Sequence, residues 1–143
     1  MTQEWPDQLP VVQVRMARPT RSLEKILQFY RDGLGLPVVG SFEDQAGYSG
    51  VMIGLPGFDY HLEFTTHPDH KNLDRPHEDD LLVLYMPNRE AIGRLVVRLG
   101  AMGYRPTAPL NPYWENKSVT IPDPDGRRVV LVETAGIGST THS

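Results

Sequence analysis

The chain runs through one pattern of periodicities and turns twice, and a duplicated strand–helix–strands unit restricts the possible folds more than any single motif. Residues 11–64 and 81–133 each read as a strand, an amphipathic helix, a Gly-centred helix stop, and further strands that end after a Gly turn. Leu34-Gly35-Leu36 falls on Met102-Gly103-Tyr104, and Pro37 lies near the place of Pro106. Thr20 falls on Asn88, and both are residue types that cap helix N-termini. Pro56-Gly57 before residues 60–64 is echoed by Asp125-Gly126 before residues 129–133. Identity between the halves is low, so physical pattern is what repeats. Two copies of one βαβββ unit predict a ligand trough between them.

A chain of 143 residues is one domain, or two half-domains sharing a core. At this size about 68–70% of the unfolded surface can be buried, so no metal or disulfide staple is needed. The absence of cysteine removes thiol chemistry, Cys-type zinc sites and disulfides. Fourteen basic against 18 acidic residues give a net charge of −4. That balance argues against nucleic acid, whose affinity comes mainly from neutralised phosphates. The longest apolar runs, such as residues 81–86, are too short to span a bilayer, and no secretory signal is visible. The expectation is a cytoplasmic protein with a small-molecule partner, no nucleic acid and no membrane.

Residues 11–17 alternate as a strand, with Gln13, Arg15 and Ala17 on one face. Thr20 then opens a helix whose stripe is Leu23, Ile26, Leu27, Tyr30 and Leu34. Gly33 and Gly35 end it, and Pro37 cannot continue it. Strands are predicted at 37–42, 50–55, 60–65, 81–86, 104–106, 117–122 and 127–134, which with the first makes eight. Asn88 caps a second helix over 89–102, with Ile92, Leu95, Val96, Leu99 and Met102 facing inward. The predicted class is α+β: two βαβββ modules forming a curved, mostly antiparallel eight-stranded sheet. The domain boundaries are a single domain over 1–143, built from module 11–66 and module 80–135 joined by a linker at 67–79.

This layout, with Phe29-Tyr30-Arg31-Asp32-Gly33-Leu34-Gly35-Leu36 and Asp123-Pro124-Asp125-Gly126, resembles the vicinal oxygen chelate superfamily. That group holds glyoxalase I, extradiol dioxygenases, and fosfomycin and bleomycin resistance proteins. Residues 61–65 and 111–114 look like an uncharacterised bacterial glyoxalase-like branch. The resemblance implies a trough in which a divalent ion, held by His, Gln or Glu from four strands, chelates adjacent substrate oxygens. Carried onto this chain, the four ligand positions fall on Arg15, Glu63, Leu81 and Val130. Of these, only Glu63 could ligate, because a guanidinium has no lone pair to offer. A two-residue slip keeps the same face but substitutes only Gln13, Val83 and Val132. The usual metal set is therefore absent, and no cofactor is expected; the alternative is a non-standard site for Zn, Ni, Mn or Fe on His61 and Glu63, with Gln13 as a third donor.

His61 and Glu63 share one strand face, opposite Tyr60, Leu62 and Phe64, and are the candidate catalytic acid/base or ligand-anchoring pair. Their bland reading is a structural ion pair with Arg15. Arg15 itself either grips an anion bidentately where relatives hold a cation, or plugs an abandoned site by pairing with Glu63. Gln13, Tyr48, Asn111, Tyr113 and Trp114 complete the substrate-binding candidates. Tyr113 and Trp114 would line the trough mouth, or else anchor a dimer interface. His67, His70 and His77 lie in the charged linker and match no compact metal motif.

Three functions follow. The first is a metal-independent binding protein of the glyoxalase/bleomycin-resistance type, taking an aromatic or anionic compound. The second is a lyase, isomerase or dioxygenase of the same superfamily working through Glu63 and His61. The third is an interaction domain whose trough is closed by side chains. The resemblance also implies a homodimer.

Overall fold

The computed structural model describes residues 5–134 and residue 136. Its elements form two compact units, Met1–Leu73 and Asp74–Ser143. The expected end of the second module at Ala135 lies outside the described residues.

In the first unit, β1 is Val14–Pro19 and α1 is Leu23–Ile26, which runs on as a π-helical segment, Leu27–Gly33. β2 (Val38–Gln45), β3 (Tyr48–Gly54) and β4 (Tyr60–Thr66) follow. They make one sheet in the order β1-β4-β3-β2, in which β1 runs parallel to β4 and the other pairs are antiparallel. A parallel pair needs a long crossover, and the helix with the β2–β3 hairpin supplies it. β4 is therefore an inner strand, paired on both edges.

Alternation along β4 sends Leu62 and Phe64 to one side and His61 and Glu63 to the other. The apolar side packs on the helix, where Ile26, Phe29, Tyr30, Ile53, Leu62 and Phe64 are wholly buried. The Tyr30 ring lies 5.0 Å from Phe64 and 4.9 Å from Phe29. The remaining face of the sheet carries the polar set.

Helix entry differs from the sequence expectation. Ser22, not Thr20, is the N-cap, its side chain accepting the Lys25 N–H. Thr20 is still tied to the sheet, since its N–H donates to the Thr65 carbonyl at 2.8 Å and prolongs the β1–β4 ladder. The coil then widens, as Leu34 N–H reaches back to the Phe29 carbonyl. Apolar spacing of three and four residues fits an α or a π coil equally, so the sequence carried no sign of the wider turn.

In the second unit, β5 (Leu81–Met86), α2 (Arg89–Ala101), a 3-10 turn (Pro112–Trp114), β6 (Ser118–Pro122) and β7 (Arg128–Glu133) follow in order. The sheet order is β5-β7-β6, with β5 parallel and β6 antiparallel to β7. Asn88 caps α2 as expected, accepting the N–H groups of Glu90 and Ala91. Ile92 and Leu99 of α2 are buried with Leu82, Ile121, Val129 and Leu131, while Met102 at its end stays exposed. The Asp123-Pro124-Asp125-Gly126 turn closes on its own carboxylate: Asp123 accepts the N–H groups of Asp125 and Arg127 at 2.8 and 3.0 Å. Gly126 there has φ +90°, which a side chain would strain.

The described residues thus hold seven strands in two mixed sheets, in place of one mostly antiparallel sheet of eight. The missing strand is residues 104–106. Only Thr107 pairs, through one bridge to Thr120, because Pro106 and Pro109 cannot donate to a ladder. β1 also starts at Val14, leaving Gln13 exposed ahead of the strand. No helix among the described residues is long and apolar enough to cross a membrane.

Candidate functional site

The β1–β4 register sets Arg15 beside His61 and Ala17 beside Glu63. On the far side of β4, Met52 lies beside Glu63 and Gly54 beside His61. Arg15 Nε donates to His61 Nε2 at 2.9 Å, and Arg15 Nη1 donates to Glu63 Oε2 at 3.3 Å. The first bond needs a lone pair on Nε2, so geometry assigns the Nδ1–H tautomer of a neutral His61. His61 is 8% exposed and the Glu63 side chain 12%, whereas the Arg15 side chain is 46% exposed. The guanidinium therefore lies over two nearly buried acceptors and keeps N–H groups free for something outside. A carboxylate on an inner strand would be costly alone; the cation offsets that cost and fixes its own orientation.

Two of the four ligating atoms of this pair, His61 Nε2 and Glu63 Oε2, accept hydrogen bonds from Arg15. Among the described residues, no group of three or more His, Asp or Glu side chains could hold a metal. In the second unit the positions expected to ligate, Leu81 and Val130 or, after the slip, Val83 and Val132, carry hydrocarbon side chains, and Val83 pairs with Val130 in register.

Tyr48 shares the period-two face of Met52 but sits four residues away along β3, about 13 Å. Its ring packs edge-on against His67 at 4.6 Å and His70 at 5.7 Å, and those two imidazoles lie 4.7 Å apart. His67 Nδ1 accepts the Asp69 N–H at 3.1 Å, leaving Nε2 to donate to the Ala46 carbonyl at 3.3 Å. The front of the expected linker is thus folded onto the β2–β3 hairpin, which no local pattern announced. The Asp32 carboxyl is held low by its hydrogen bond from Arg31; both side chains are exposed on the π-helical segment.

Asn111, Tyr113 and Trp114 belong to the second unit. The Asn111 side chain caps the 3-10 turn by accepting the Tyr113 N–H at 3.0 Å. Tyr113 stands edge-on to Trp114 at 4.9 Å and 88°, and 76% of it is exposed. Both line a cleft of about 300 Å³ with Tyr85, Lys117 and Val132. Sequence reading missed Tyr85 and Lys117. Tyr85 was legible from alternation, as it shares a face with Leu81 and Val83. Lys117 was not, because its left-handed backbone, φ +62°, is foreign to its residue type.

Two successive units, each a helix over a mixed sheet with its first and last strands paired in parallel, define a protein of the vicinal oxygen chelate class. Residues 14–65 match the family described as the YycE-like N-terminal domain, and residues 79–133 match the YycE-like C-terminal domain. The chain belongs to the YycE-like family. It is 47% identical over 125 residues to the uncharacterized protein YycE of Bacillus subtilis strain 168, covering 87% of this chain and 90% of that one. A crystal structure of a Bacillus subtilis YycE protein superposes with a TM-score of 0.89 at 43% identity, covering 96% of this chain and 99% of that one. It is described as a glyoxalase/fosfomycin-resistance type of unknown function. The fosfomycin resistance protein FosX of Mesorhizobium loti matches with a TM-score of 0.63 at 16% identity, covering 84% and 89%. The antibiotic-binding protein TnmS3 of Streptomyces sp. CB03234 matches with a TM-score of 0.60 at 20% identity, covering 85% and 93%. The last two establish the fold alone.

Proposed function

We propose that this protein binds a small anionic molecule, a carboxylate or phosphonate, at Arg15 and does so without a divalent metal. The observation that carries this is the guanidinium itself. It is braced on one side by His61 and Glu63 and half exposed on the other. A charged fork held in place loses little entropy on gripping a planar or tetrahedral oxyanion. Support by likeness comes from the fosfomycin-resistance description of the YycE structure.

Thermal shift with methylphosphonate, pyruvate and benzoate tests the reading. A ligand at 100 times its Kd adds about 2.7 kcal/mol of stability, which raises the Tm of a chain this size by roughly 5–10 °C. Arg15→Ala should remove that gain, and EDTA should leave it intact. A gain that survives Arg15→Ala, or that EDTA abolishes, would sink the proposal.

The enzymatic alternative draws on the same three residues. It requires His61 Nε2 to leave Arg15 before it can take a proton, so His61→Gln would stop turnover while sparing binding. The working form in either reading is a homodimer, favoured by exposed apolar side chains on the first unit, Val12, Met16, Val38 and Val39.

A further inference from the structure

The second unit carries a cleft that the Arg15 reading does not use and that stands independently of it. Its lining combines aromatic and charged side chains. Tyr85 projects from β5, and Tyr113 and Trp114 stand on the 3-10 turn with their rings at right angles. The turn is held by the Asn111 cap, by the Trp114 N–H to the Asn111 carbonyl at 3.1 Å, and by the Ser118 hydroxyl on the Trp114 carbonyl. These contacts preset two rings while leaving Tyr113 76% and Tyr85 43% exposed. Large aromatic faces held rigid and left uncovered are what a stacking ligand needs.

Charge narrows the occupant. Glu133 lines the cleft, but its carboxylate already accepts both Nε and Nη2 of Arg89, at 3.2 and 3.0 Å. Lys117 also lines it and has no ion pair among the described residues. Its left-handed backbone is locked by the Glu133 N–H, which donates to the Lys117 carbonyl at 2.7 Å. A non-glycine residue held in that region marks a place where the surroundings overdetermine the chain. Among the described residues the cleft therefore offers one cation without an ion pair, beside two rings at right angles. Its volume of about 300 Å³ is at the small end for ligand sites.

We propose that this cleft is a binding site for a planar aromatic anion of one or two rings, stacked on Tyr113 at right angles to Trp114, with its negative group on Lys117. Calorimetric titration with 2-naphthoate, alongside the Trp114 indole N–H signal by NMR, tests it. The signal is assigned with a Trp5→Phe variant, since the chain has two tryptophans. The expected result is that 2-naphthoate shifts that signal and binds at least tenfold more tightly than neutral 2-naphthylmethanol. Lys117→Gln should erase the difference between the two probes, and Tyr113→Ala, an exposed change that leaves the fold intact, should weaken both about tenfold. Arg15→Ala should leave the Trp114 signal shift and its concentration dependence unchanged, which separates this site from the one in the first unit. An unmoved indole signal, equal affinity for acid and alcohol at that signal in the wild type, or loss of the indole shift in Arg15→Ala each overturns the proposal.

Discussion

A guanidinium stays over a sheet face only if something holds it, and at Arg15 the holders are an imidazole lone pair and a carboxylate oxygen. Replacing it by Lys would keep the charge but lose the fork that reaches both acceptors at once. A different polar group in the second unit is held by nothing: Thr120 is 3% exposed and its hydroxyl has no partner among the described residues. Burying an unpaired hydroxyl is unfavourable, and valine has nearly the same shape without it. Thr120→Val should therefore raise the unfolding free energy by up to about 1 kcal/mol in urea. A loss of stability would mean that the hydroxyl is satisfied in solution. Both residues were readable as face assignments from alternation. Their partners, or lack of them, were not.

Helix starts show how far local chemistry carries at the level of elements. Asn88 was legible because its amide oxygen caps from a fixed offset, and the structure uses it so. At the first helix two hydroxyls compete, Thr20 and Ser22, and the sheet decides by claiming the Thr20 N–H for the Thr65 carbonyl. Ser22→Ala should accordingly cost about 1 kcal/mol in denaturant unfolding, the usual loss for an N-cap oxygen. No change would return the cap to Thr20. The strand expected at 104–106 failed for a comparable reason. Prolines at 106 and 109 remove donors that a ladder requires, which outweighs the repeat pattern that placed a strand there.

For the whole molecule, the proposed homodimer predicts a sedimentation mass of twice the 16.1 kDa chain, and a single-chain mass would remove it. Duplication was the most legible property, since period-two and helical spacing, Gly stops and the Asp123 turn depend on residues close along the chain. Those same local rules determined that His61 shares a face with Glu63, and the superfamily resemblance added Arg15 by placing it and Glu63 at ligand positions. What only the tertiary structure decided is who meets whom. Strand register across β1 and β4 brought Arg15 onto His61, and folding of the linker front set His67 and His70 edge-on against Tyr48. Pairing with β7 held Lys117 in its left-handed turn beside the aromatic cleft. Each of these rests on hydrogen bonds or ring contacts between residues distant in sequence. Their energies come from the packed chain, and no short window of sequence encodes them.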